Sequence, residues 1–178
     1  IQEVIGPARL SFWWTVDCEP VYDQLSCYFD HEFLFAISGE EQPWERRVIY
    51  VPEGRHRVTW EFSKDGSVSL GEDAGWVDRI ELVKPEDYLD LTGAVSPSTG
   101  IYDMWSQTAY RTTYDLRDSL DLGSWSTLRS GLVGTGGILN LDPLDISPYG
   151  SRGFFDLVET PQEISTGPYV EDNGLVVI

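Results

Sequence analysis

The stretch "GPARLSFWWTV", beginning at Gly6, constrains the fold more than any other. After Pro7, the apolar residues Leu10, Phe12, Trp14 and Val16 fall at every second position. A period of two places side chains alternately on the two faces of an extended chain, so one face is greasy and must be covered. A strand this apolar belongs in the middle of a sheet, with a neighbour along each edge. Only a few residues precede it, so what seals its second edge is the main question of the fold.

Composition answers in kind. The chain of 178 residues carries 7 Trp, 9 Tyr and 7 Phe, with 17 Gly and 10 Pro between them. Aromatic and β-branched runs separated by turn formers predict an all-β protein. Ala8–Val16, Leu25–Phe29, Phe33–Ile37, Arg46–Val51, Arg55–Phe62 and Trp76–Val83 read as strands. The second and third form a hairpin about Asp30-His31, because Asp tolerates the left-handed backbone of a tight turn. In Arg55–Phe62, Val58, Trp60 and Phe62 share one face. In Trp76–Val83, alternation puts Trp76, Ile80 and Leu82 on a face with Asp78.

This gives a first sandwich over residues 1–84, a linker over 85–109 and a small β-module over 110–160. A tail over 161–178 follows. The second module draws on Thr113–Arg117, Trp125–Leu128, Ile138–Leu141 and Phe154–Val158. The tail ends in "GLVVI", a β-prone run where chain ends are usually polar.

The formal net charge is −18, from 30 acidic and 12 basic side chains. That field repels phosphate backbones and anionic lipid, which argues against nucleic-acid partners. No apolar run reaches membrane-spanning length. Bound cations relieve such self-repulsion, and calcium suits carboxylate and carbonyl oxygens. In the loop "SKDGSVSLGEDAG", Asp65, Ser67, Ser69 and Asp73 can curl toward one point. Asp78 would otherwise be a costly carboxylate on an apolar face. Asp65, Asp73 and Asp78 are therefore the expected metal ligands, with Asp78 accepting backbone N–H groups or pairing with Lys64 or an arginine as the plain alternative.

Cys18 and Cys27 flank the turn "EPVYDQLS". A disulfide there would close a short loop, worth about 2–3 kcal/mol, and would imply an oxidising compartment. Their spacing does not suit zinc. A chain opening on Ile1 is expected to have lost an export signal.

Catalytic signatures are lacking. There is no G-x-S-x-G elbow, no phosphate-binding G-x-x-x-x-G-K and no H-E-x-x-H. His31 and His56 are the two histidines, one in a turn and one at a strand start. The expectation is a protein that is not an enzyme. Trp13 points opposite Trp14, and Trp44, Trp105 and Trp125 lie near strand starts. Such tryptophans pack in cores or between modules. Left exposed, they form flat platforms for sugar rings.

The segments "GPARLSFWW", "YDQLSCYFD" and "VPEGRHRVTWEFSKDGSVSLGEDAGWVDRIEL" together resemble bacterial secreted jelly-roll modules. The pattern is G-P-x-x-L-S-F-W-W, Y-D-x-L, then V-P-x-G-x-H-x-x-x-W-x-x-S-K-D-x-S-V-S-x-G-x-D-x-A-W-V-D. These modules are similar to the adhesin and galactose-binding-like jelly rolls of large surface proteins. Downstream, "YDLRDSLDLGSWSTLRSGLVGTGG" and "RGFFDLVE" resemble the short β-modules that follow in such proteins. The resemblance implies an extracellular or cell-surface protein. It also implies an incomplete first sandwich, because the pattern normally follows several earlier strands and a jelly roll needs about eight.

An unfinished sandwich with an apolar edge invites a borrowed strand. The expected function is a structural subunit of a bacterial surface filament, self-assembling head to tail by β-strand complementation. Gly174, Leu175, Val176, Val177 and Ile178 are the expected donor, with "IQEVIG" as a second possibility. Leu10–Val16 is the expected acceptor; the other solution is that the tail completes its own sheet, giving a monomer. The alternative is a carbohydrate-binding or adhesive module with polysaccharide as partner.

Overall fold

A computed structural model describes residues 1–83, 91–96, 101–145, 149, 153–162, 169–170 and 176–177. The protein is almost entirely antiparallel β-sheet, as the alternation predicts. The first half holds β1 (Gln2–Asp17), β2 (Gln24–Phe29), β3 (Glu32–Ile37), β4 (Glu45–Ser63) and β5 (Ala74–Val83). Their order in the sheet is β3-β2-β4-β1-β5.

The apolar strand therefore has both edges paired, by β4 and by β5. Two features of length make this possible. β1 starts at Gln2, so "IQEVIG" is paired within its own chain, Gln2 against Val58 and Gly6 against Gly54. The two segments expected around the "PEG" turn are one continuous strand, β4. Both long strands bend at the same place, where the register shifts between Gly6 and Ala8. Close backbone approach at this bend requires glycine: a Cβ on Gly6 would lie 1.7 Å from the Pro52 carbonyl oxygen.

Beyond the bend the sheet folds over itself, so each long strand serves both layers. One layer holds Glu45–Val51, Ala8–Asp17 and β5. The other holds β3, β2 and the remainder of β4 with Gln2–Gly6. The layers meet through aromatic rings. Phe12 lies edge-on to Trp60 at 5.0 Å, and Trp14 edge-on to Phe35 at 5.2 Å. Leu10, Phe12, Trp14 and Val16 are all buried there, with Leu25, Cys27, Phe29, Ile49 and Val51. The hairpin turn is as expected, with Asp30 at φ 47° and His31 at φ 71°. Asp30 is further held by Arg57 N, which donates to Oδ1 at 2.8 Å.

The stretch read as a linker carries structure. β6 (Leu91–Ser96) and β7 (Ile101–Gln107) pair with each other. β8 (Thr112–Ser119), β9 (Ser126–Val133), β10 (Ile138–Asp145) and β11 (Phe154–Pro161) follow. The sheets are β10-β7-β6 and β11-β8-β9. β6, "LTGAVS", has too little apolar content to announce itself and depends on β7 beside it. Met104, Tyr114, Leu116, Leu141 and Leu157 form the buried centre between these sheets. Tyr102 and Phe155 stand 6.1 Å apart across it.

The second half also seals the first. Val48 N donates to the Gly136 carbonyl at 2.7 Å, and Tyr110 N donates to the Val48 carbonyl at 2.8 Å. These bonds cap the edge of β4 that β1 leaves open. Gly136 adopts φ 76°, and a Cβ there would meet the Val48 oxygen at 3.0 Å. Buried Arg9, on the outer face of β1, forms an ion pair with Glu159 of β11. A last pair, β12 (Tyr169–Val170) and β13 (Val176–Val177), forms a short antiparallel ladder.

Candidate functional site

The outer face of β1 and β5 carries a candidate site built from aromatic and charged side chains. Burying Trp14 inward obliges its neighbour Trp13 to point outward, since successive side chains of a strand oppose each other. Trp13 pairs with Asp78 on β5, and Thr15 with Trp76. Residues directly opposite share a face, so Trp13, Thr15, Trp76 and Asp78 all look outward. Trp44, 48% exposed, lies one residue before β4.

A β-bulge builds the rest. Between Ser11 and Trp13 on one side, and Glu81 and Asp78 on the other, β5 holds one residue more than β1. Arg79 sits in this bulge at φ 49°, a left-handed conformation that is costly for a residue with a side chain. The extra residue resets the alternation. Leu82 lies opposite Leu10, whereas Trp76 and Asp78 lie opposite Thr15 and Trp13 on the outer side. The expected common face for Trp76, Asp78, Ile80 and Leu82 is thereby corrected, and Asp78 is not an isolated carboxylate in apolar surroundings. Its Oδ1 accepts a 2.7 Å hydrogen bond from Arg79 N, which fixes the carboxylate.

Trp13, Trp44, Asp78 and Arg79 line a pocket of about 260 Å³. Trp76, 40% exposed, extends the aromatic strip along the same face. Two indole faces, a carboxylate and a guanidinium thus meet in one concavity. The rings offer flat apolar surface to C–H groups. The carboxylate accepts and the guanidinium donates in forked geometry, the complement of adjacent hydroxyls.

The other expected residues lie elsewhere. Asp65 and Asp73 share the loop after β4, but Asp78 does not join them. Asp65 Oδ1 accepts from Ser67 N at 2.8 Å and from Ser67 Oγ at 2.8 Å, which holds its carboxyl below the usual range. Asp73 forms an ion pair with Lys64, lowering its own proton affinity and raising that of the lysine. Instead, the turn after β1 brings Glu19 and Asp23 up to Asp65, a grouping that spacing could not reveal because the residues come from two separate loops. Trp105 is half-buried on β7, and Trp125 lies under the Arg117 guanidinium at 5.4 Å. His31 is exposed in its turn, and His56 Nδ1 meets Asp30 Oδ2 at 2.6 Å.

The expected disulfide is corrected: Cys18 and Cys27 are free, buried thiols. Cys18 lies just after the end of β1, and Cys27 lies on β2. Cys18 Sγ donates to the Asp23 carbonyl at 3.3 Å, and burial pushes the Cys27 thiol up to about 12. The cysteines therefore no longer argue for an oxidising compartment. Of the expected donor segment, Val176 and Val177 pair with Val170 and Tyr169 of the same chain, while Gly174, Leu175 and Ile178 fall outside the described residues.

Comparison with protein-family models, curated proteins and solved structures finds no match for this chain.

Proposed function

We propose that this protein binds carbohydrate, as a non-catalytic module of a secreted or surface protein, through the pocket formed by Trp13, Trp44, Asp78 and Arg79. One observation carries the reading: the Arg79 bulge sets a carboxylate and a guanidinium beside two outward tryptophans. Strained backbone at a bulge persists only where the surroundings enforce it, and such places recur at ligand clamps. A sugar ring would stack on Trp44 and Trp13, with Asp78 and Arg79 holding adjacent hydroxyls. The resemblance to secreted jelly-roll modules agrees with this reading.

A glycan array identifies the sugar, and titration of tryptophan fluorescence measures its affinity. Trp44→Ala is expected to weaken binding about five- to tenfold, as loss of one stacking ring worth about 1–1.5 kcal/mol implies. Its melting temperature should stay near that of the parent, because the side chain is half exposed. An array without hits, or equal binding by Trp44→Ala and Asp78→Asn, would overturn the proposal.

Self-assembly by strand pairing is the second reading, and its acceptor shifts. Leu10–Val16 has both edges occupied, whereas among the described residues β5 ends its sheet and exposes Ile80 and Leu82. An uncovered apolar edge strand is a site for a second chain. Size exclusion of Leu82→Lys separates the readings: loss of oligomers with retained sugar binding supports assembly through β5, and a parent that is monomeric at high concentration rejects it.

A further inference from the structure

The turn between β1 and β2 and the loop after β4 come together over a group of acids. Oxygens of Glu19, Asp23 and Asp65 lie within 4.8 Å of one another. Asp23 is fully buried, and only part of its carboxylate is used. Oδ1 accepts from Asp65 N at 3.0 Å, which ties the turn to the loop, while Oδ2 is buried with no hydrogen-bond partner. Glu19 Oε2 is likewise buried and unmatched. An ionised oxygen taken out of water without a partner is costly, and two of them converging on a third carboxylate compound the cost.

We propose that Glu19, Asp23 and Asp65 bind a divalent cation of the calcium type, stapling the β1–β2 turn to the loop that follows β4.

The local charge supports a dication. Lys64 is near, but its ammonium is engaged by Asp73 and by Ser69 Oγ at 3.1 Å. Asp73, paired with Lys64, also meets the Asp23 carboxyl and adds a fourth acid beside the group. Glu19 feels the crowding: burial first, then the charges of Asp65 and Asp23, hold its carboxyl above the usual range. Calcium accepts irregular sets of oxygens completed by backbone carbonyls and water, as the meeting of two loops would provide, whereas magnesium demands near-ideal octahedral geometry. The site differs from the one the sequence suggests: Asp65 is common to both, but Asp73 and Asp78 are replaced by Glu19 and Asp23.

The experiment uses the full chain and calcium chloride. Melting temperature is expected to rise by about 5 °C or more at about 5 mM calcium and to return on chelation. Terbium should bind in calcium's place and luminesce on excitation of nearby tyrosine, Tyr22 being adjacent to Asp23, and calcium should displace it. Glu19→Gln, at a half-buried position that tolerates the amide, should lose both responses at least tenfold in affinity. Asp23→Asn should lose them too where it folds. Asp78→Asn should keep both. No rise with calcium, an equal rise with magnesium at matched ionic strength, or an undiminished response in Glu19→Gln would each overturn the proposal.

Discussion

The two halves of the molecule use the same element in different ways. In the first, two long strands bend and serve both layers, so few strands enclose a large aromatic core: Phe12, Trp14, Phe35 and Trp60 touch ring to ring. In the second, short strands enclose a smaller centre around Met104, Tyr114, Leu116, Leu141 and Leu157. The outer side chains of β9 are largely exposed. The first half is stabilised by its own interior. The second is an interior and a cap together, because its Tyr110 and Gly136 complete the edge of β4 and its Glu159 holds Arg9. Strand length thus decides whether a sandwich can close on itself, and a smaller neighbour supplies what remains.

Mutations in the cores test this contrast most severely. Trp14→Ala removes a fully buried ring and should cost about 3–5 kcal/mol, and Leu157→Ala about 2–4 kcal/mol. Denaturant unfolding followed by two probes should show the first change lowering both halves together. A transition of the second half that is untouched by Trp14→Ala would break the picture of a cap dependent on its support.

Glu159→Gln probes the tie itself. Arg9 is buried, and replacing its carboxylate partner leaves a charge less well compensated, at about 3 kcal/mol. A melting temperature within a degree of the parent would show that Arg9 is held by its other neighbours. Gly136→Ala sharpens the same junction with a smaller loss, about 1–3 kcal/mol, because the new Cβ is strained at φ 76° and crowds the Val48 oxygen. Hydrogen exchange at the Val48 and Tyr110 amides should quicken more than at Phe12.

The last effect is one of pH and is silent at neutrality. Burial raises the Cys27 thiol from its ordinary 9.0 to about 12 in the folded chain. The stability this contributes is complete below pH 9.0 and is lost as pH rises toward about 12, because only the unfolded chain ionises in that window. The slope is about 1.4 kcal/mol per pH unit. Cys27→Ser should flatten it. Thiol titration at pH 8 should find two reactive groups after denaturation and essentially none before; no reactive group after denaturation would restore the disulfide.

Much of the first half was legible in advance. Alternation marked Leu10, Phe12, Trp14 and Val16 as one buried face, and Val58, Trp60 and Phe62 as another. Asp30-His31 was readable as a turn because local backbone preference suffices there. The pocket was half legible: Trp13 was set outward by Trp14, but Asp78 was assigned to the wrong face. β6 and the opening residues Gln2–Gly6 were missed because neither has a strong pattern of its own, and each exists by pairing with a stronger strand.

The chain's own residues determined that this is a β-protein, which side chains face inward on its strongest strands, and that its surface is acidic. These follow from periodicity and charge, which are local or additive properties. Strand order, the bulge at Arg79, the meeting of Glu19 and Asp23 with Asp65, and the burial of both cysteines as free thiols were decided by the tertiary structure. Each depends on which distant segments close upon one another. That choice is made by the joint burial of many side chains, and no short stretch contains it.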